Sequence, residues 1–282
     1  MKNIITKIAR KIEGKMLARS HRDELSINAK LKNSKKGKRC FILGNGPSLN
    51  TQDLTKLVNE ETFVVNTFWN HPQYQEINPK YYVIVDTEVF PQKEATYWSK
   101  NLLDRKSVVE SRPNTTMFFN VLGKELVEKN NLYPKNPKYY LALDGYLKEN
   151  LKFNIEIDRT IPKTKNVIIA CLMTAVYMGF EEIILIGCEH DFLAHPIDKH
   201  YEGFKHFYKT NYSGTDTEDI KNYRLSTGTY EHYISQALIL FKNYRLLKKK
   251  VLKTNPGVKI FNATPNSFLD VFPFVKFEDI KL

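Results

Sequence analysis

Side chains able to bind an anion or move a proton concentrate in three places along this sequence. The first is Gly44-Asn45-Gly46-Pro47-Ser48, which follows directly on the apolar run Cys40 to Leu43. Its glycines allow close backbone approaches, and Ser48 or Asn50 can cap a helix suggested by Leu49, Leu54 and Leu57. Exposed amides at such a helix start suit a phosphate, although the same residues also make a tight turn with no ligand. The loop lacks the third glycine of the dinucleotide fingerprint and the lysine of a P-loop, so the pattern allows a nucleotide but not the usual dinucleotide. The second place is Glu189-His190-Asp191, just past the apolar run Ile183 to Ile186. Charge and imidazole where a buried strand stops mark a site, or else a capped strand end with a surface salt bridge. The third is His232, within the Tyr230-Glu231-His232-Tyr233 stretch that opens a long helical pattern. It can serve as a general base, because histidine titrates near working pH, or it can be an ordinary exposed residue at a helix start.

Strands must carry these groups to one another. Runs at Phe63 to Asn66, Tyr81 to Asp86 and Thr116 to Asn120 alternate with helical or irregular stretches, and each ends in a polar residue. In an open parallel sheet the ligand lies outside the carboxyl ends of the strands. Asn45, Asn66 and Asp86 are therefore expected to meet in one crevice, with Asn120 a further candidate; any one of them could instead start a simple turn. Val167 to Met178 reads as a buried helix, and Val258 to Phe261 as a last strand leading into a polar loop through Asn266 and Ser267. Residues 121–163, rich in Lys, Asn, Pro and Tyr, leave a flexible lid and a small helical insertion both open. Residues 193–229 hold His195, His200, Tyr201, His206 and Tyr208 with almost no aliphatic side chains, which is too long for an ordinary connection and reads as a lid or substrate loop. Those histidines lack the spacing of a zinc site. The fold expected is α/β, a Rossmann-like, mostly parallel sheet flanked by helices with a lid-like insertion, spanning residues 38–282.

Residues 1–37 precede that domain. Ile4, Ile5, Ile8, Ile12, Met16 and Leu17 recur at helical spacing among Lys2, Lys7, Arg10, Lys11, Lys15 and Arg19, the pattern of a basic amphipathic helix. It would lie on an anionic lipid surface, or pack on the body of the protein or a second subunit. Residues 21–38 read as a polar, mobile connection. The 282 residues, 42% of them hydrophobic, can bury a sizeable core, and the formal charge of +12 calls for an anionic partner. Nucleic acid ranks last among such partners, because the aromatics fall in strands and the lid rather than along a basic groove. Cys40, Cys171 and Cys188 form no Cys-x-x-Cys pair and read as buried thiols in a reducing compartment. No apolar run reaches the roughly 18 residues of a membrane span, and the start lacks a signal peptide's apolar core, so the expected location is cytoplasmic, peripheral on the inner membrane face.

Taken in order, Ile-Leu-Gly-Asn-Gly-Pro-Ser-Leu from Ile42, Asn66 after a strand, Met-Gly-Phe-Glu-Glu-Ile-Ile-Leu-Ile-Gly from Met178, the Tyr/His-rich stretch and Pro265-Asn266-Ser267-Phe268-Leu269 carry a resemblance. Across residues 38–272 the chain resembles the small bacterial lipooligosaccharide sialyltransferases of glycosyltransferase family 42 and related polysaccharide-locus proteins. The resemblance implies a nucleotide-sugar donor, often CMP-linked, whose sugar passes to a cell-surface glycan or lipid-linked oligosaccharide by inverting displacement with a histidine base. By position it implies that Asn45 and Gly46, in the loop with Gly44 and Ser48, meet the nucleotide phosphate and ribose. Asn66 would meet the nucleotide, Asp86 stands where the family has asparagine, and Asn266 and Ser267 fall near the nucleotide. His232 is the nearest match to the base, with His190 the alternative and Glu189 beside it. Tyr201 and Tyr208 stand for the lid tyrosines that ease departure of the nucleotide.

The chain departs from that pattern at Glu189-His190-Asp191, which is more charged than the family's strand ending. This stretch and Asp86-Thr87-Glu88 superficially resemble the Asp-x-Asp metal motif of other sugar transferases; the reading favours no metal and no cofactor beyond the donor. Pterin diphosphokinases, which have similar glycine loops and would need magnesium–ATP, are the second reading, with a non-catalytic membrane-associated protein of glycan biosynthesis the third. Self-association as a homo-oligomer is left open.

Overall fold

A computed structural model describes residues 16, 17, 19–86, 102–149, 151–194 and 229–282. Most of the N-terminal amphipathic pattern and nearly all of the 193–229 stretch, Tyr201 and Tyr208 included, lie outside them. The described chain folds as α/β around an eight-stranded parallel sheet: β1 (Arg39–Leu43), β2 (Thr62–Val65), β3 (Tyr81–Ile84), β4 (Thr116–Asn120), β5 (Lys138–Tyr146), β6 (Thr160–Lys163), β7 (Glu182–Ile186) and β8 (Lys259–Asn262). Their spatial order is β6-β5-β4-β3-β2-β1-β7-β8. From β1 the chain builds outward to β6, then returns to place β7 on the other side of β1, with Leu43 in register with Ile186. The strand order thus reverses between β1 and β7, the place where open α/β sheets form a crevice.

Burial on both faces explains why these strands read as continuous apolar runs. In β1, Cys40 and Ile42 face one core and Phe41 and Leu43 the other. Among the described helices are α1 (Arg22–Ile27), α2 (Tyr74–Ile77), α3 (Leu102–Glu110), α4 (Lys124–Lys129), α5 (Val167–Met178) and α6 (Tyr230–Thr254). The first core holds α5 and the inner stripe of α6; the second holds α2 together with short 3-10 turns. Helix α5 is buried throughout Ile168 to Met178, is capped by the Asn166 side chain accepting from Ile168 N at 2.5 Å, and ends on Gly179 at φ 88°. No described helix is long and apolar enough to cross a membrane.

Three expectations change. The stretch after Ser48 is not one helix but two 3-10 turns, Pro47–Asn50 and Leu54–Leu57, because Asp53 between them takes Thr55 N and starts the second turn afresh. Residues 121–163 are neither lid nor purely helical insertion: they contribute α4, β5 and the edge strand β6. Residues 21–38 are not a loose connection, since α1 and the 3-10 turn Asn28–Leu31 dock on the sheet through Leu25 and Asn28, both buried. Asn28 Nδ2 donates to Tyr140 O at 2.7 Å and Ile157 O at 2.6 Å. Asn28→Ala strands both carbonyls in the interior and is expected to cost about 2 kcal/mol, read as a lower urea midpoint at unchanged slope.

Candidate functional site

At the carboxyl ends of β1, β2 and β7 lies a cavity of about 520 Å³, a size suited to a small ligand. Its floor is Gly44, Asn45, Gly46, Asn66 and Gly187 to Asp191; one wall is Lys165 to Ile168 at the start of α5, and the other is the first turns of α6 through His232, Tyr233 and Gln236. Asn45, Asn66 and Glu189, expected in one crevice, do share it. Asp86 does not: it is exposed at the end of β3 and lines no part of the cavity. Asn120 is buried and committed, donating to Val85 O and accepting from Leu122 N, each at 3.1 Å.

Of the two readings of the glycine loop, phosphate site or tight turn, its hydrogen bonds match the turn. Gly44 N donates to Ile186 O at 2.8 Å, Gly46 N to Gly187 O at 3.0 Å, and Ser48 N to the Glu189 carboxylate at 2.8 Å. The amides meant for a phosphate are spent on the end of β7, and a protein carboxylate sits at the start of the 3-10 turn where an anion would go. That packing is why the loop needs glycine: a Cβ on Gly44 would lie 2.1 Å from Gly187 O, and one on Gly46 would lie 1.4 Å from Glu189 Oε2. Burial raises the Glu189 pKa above the ordinary carboxylate range, against the pull of the Ser48 hydroxyl and amide.

Ser267 and Asn266 also stand outside the cavity. The Ser267 hydroxyl donates to Cys188 O at 2.6 Å and Phe268 N to Glu189 O at 2.8 Å, so this loop buttresses β7 from behind, while Asn266 is exposed at φ 53°.

Two of the residues that line the cavity carry side-chain oxygens without donors. Asn45 Oδ1 and Asn66 Oδ1 are buried with no hydrogen-bond partner among the described residues. Asn66 holds the left-handed region at φ 48°, with its own carbonyl accepting from the Tyr82 hydroxyl; Asn45 Nδ2 donates to Thr67 Oγ1 at 3.2 Å. Each oxygen has almost no open surface, so a ligand hydroxyl or amino group reaches it only when the amide turns toward the cavity.

The two candidate bases differ sharply. His190, at φ 54°, is held under α6 with Nε2 2.9 Å from the Tyr244 hydroxyl. Burial pushes its pKa down to about 4, although a hydrogen bond to the Cys188 backbone and the nearby Asp191 act the other way. Burial also drives the Tyr244 phenol well above its ordinary value, so Tyr244 stays a neutral hydroxyl hydrogen-bonded to Nε2. A ring that burial keeps neutral down to about pH 4, with this nitrogen engaged by Tyr244, is a poor base for a substrate proton. His232 is exposed on the first turn of α6 and faces the same cavity.

Lys165, Asn166, Tyr233 and Gln236 also line the cavity and were not singled out from the sequence. The signal for the first two was present: Thr164-Lys165-Asn166 ahead of a long apolar run marks a capped helix start, and α5 points its amide end into the cavity. Among the described residues no group of three or more His, Cys, Asp or Glu is placed to hold a metal ion.

The model of the family described as 6-hydroxymethylpterin diphosphokinase MptE-like matches residues 19–195. That span takes in α1, the glycine loop, α5 and Glu189 to Asp191. Among solved structures, the MAf glycosyltransferase from Magnetospirillum magneticum AMB-1 superposes with a TM-score of 0.47 at 14% identity, over 93% of this chain and 39% of that one. The chain thus spans about two fifths of that protein's length. No curated protein matches the sequence.

Proposed function

We propose that this chain, which belongs to the 6-hydroxymethylpterin diphosphokinase MptE-like family, is a transferase that holds a nucleotide-activated donor in the cavity at the β1/β7 switch point. The finer reading is a glycosyltransferase passing a sugar from a nucleotide-sugar, CMP-linked in the sialyltransferase-like version, to a glycan hydroxyl. One observation carries it: two buried, donorless amide oxygens, Asn45 Oδ1 and Asn66 Oδ1, share a cavity with the amide end of α5 and the cation Lys165. Ribose or base donors satisfy the former once the two amides turn toward the cavity. The leaving phosphate finds its countercharge at the latter, in place of the glycine loop. His232 takes the proton of the attacking hydroxyl, and Gln236 and Tyr233 stand beside it to orient the acceptor.

The family description favours a second reading, diphosphate transfer from ATP to a pterin. Magnesium–ATP would need carboxylates free to ligate, and of the two on the cavity floor Glu189 is already committed to Ser48 N. A thermal-shift series with CMP, UDP, GDP and ATP, each with and without magnesium, separates the two. Sugar-donor chemistry predicts that one of CMP, UDP or GDP raises the midpoint by roughly 5–10 °C at a hundred times its Kd without metal, and that Lys165→Ala removes most of the rise. Stabilisation by ATP with magnesium alone selects the diphosphokinase. No shift with any nucleotide removes both.

A further inference from the structure

Helix α6 carries two faces. Ala237, Leu240, Tyr244, Leu247 and Val251 turn inward and are buried. On the outer side, Tyr230, Ile234 and Leu238 recur every fourth residue and are 42%, 45% and 52% exposed. The same outer stripe continues through Lys242, Arg245, which pairs with Glu149, and Lys249 to Leu252, all exposed. A helix of this length runs about 37 Å, with large apolar side chains along the half that borders the cavity and lysines along the other.

We infer that this outer face of α6 is a docking surface for an anionic lipid bilayer. Bare apolar side chains at helical spacing next to ammonium groups match the headgroup boundary, where the apolar part enters the acyl edge and each lysine meets a lipid phosphate. Charge decides between lipid and a second copy of the chain. The chain carries a formal +12, and pairing this face with itself would bring two lysine rows and two such charges together, whereas an anionic surface neutralises them. Docked in this way, the helix sets the cavity mouth, flanked by His232 and Gln236, at the membrane surface. The surface does not depend on what the cavity binds.

Cosedimentation of the full chain with vesicles tests it. The protein binds vesicles of phosphatidylcholine with about one third phosphatidylglycerol much more tightly than phosphatidylcholine alone, and raised salt weakens the binding. Ile234→Asn with Leu238→Asn, and separately Lys242→Gln with Lys249→Gln, each lower the partition constant by about tenfold. Thermal midpoints and nucleotide-induced shifts stay at wild-type values, because these side chains support no core. Three results overturn the inference: no binding by the wild-type chain, variants that bind as tightly as it does, or a lipid-free dimer that Ile234→Asn with Leu238→Asn converts to monomer.

Discussion

Gly44→Ala is expected to lower the melting midpoint by roughly 10 °C, a loss of about 3 kcal/mol. The added methyl group meets the carbonyl of Gly187 at 2.1 Å, backbone against backbone, and no rotamer change relieves it. Strands β1 and β7 must part at their ends, breaking the bond from Gly44 N to Ile186 O and loosening the cavity floor. Gly46→Ala differs in kind. Its methyl group meets the far end of a side chain, the Glu189 carboxylate, which can swing out once Ser48 N is abandoned. The cost of Gly46→Ala should therefore fall sharply in a Glu189→Ala background, whereas Gly44→Ala keeps its full cost there. Thermal melts of the five variants, three single and two double, decide it: a Gly44→Ala protein within 2 °C of wild type, or additive effects of Gly46→Ala and Glu189→Ala, would show that β1 and β7 do not approach this closely.

The same contrast shows which parts of the molecule the sequence discloses. Strands β1, β2, β3, β4 and β7 and helix α5 were legible because burial on two faces leaves an unbroken apolar run that little else produces, whereas the edge strand β8 showed a run broken by the exposed Lys259. Strand β5 was not, since only its middle is buried and Asp144 and Gly145 interrupt the run; β6 is an edge strand with Pro162 inside it. Asn45, Asn66 and Glu189 could be placed together from their positions at strand ends alone. What no local pattern carries is the partner of each polar group. Glu189 and Ser48 lie 141 residues apart, and so the sequence left a phosphate cradle and a ligand-free turn both open where the protein's own carboxylate closes the loop. Likewise His190 stood as the alternative base to His232, because its burial and its bond to Tyr244, 54 residues away, exist only in the fold.

That burial makes His190 an acid sensor for the fold, and this is the second large effect expected. An unfolded histidine titrates near 6.5, whereas in the folded chain the ring resists protonation until about pH 4. Between those values the unfolded state binds a proton that the native state refuses, so stability is full above pH 6.5 and falls as the pH drops toward 4, by about 3 kcal/mol in total. The neighbours work both ways. Asp191 favours the imidazolium, Tyr244 supplies only a neutral hydroxyl, and Glu189, whose carboxyl is pushed above its usual range, gains stability as the pH falls and offsets part of the loss. His190→Asn isolates the ring, because asparagine tolerates the left-handed backbone at φ 54° and leaves the other groups in place. Urea unfolding at about pH 7 and about pH 4.5 should give wild type a steeper loss than the variant by about 2–3 kcal/mol. Equal losses in the two proteins would mean that the His190 ring takes up its proton in the folded state as readily as in water, and that the Tyr244 hydroxyl does not hold its Nε2.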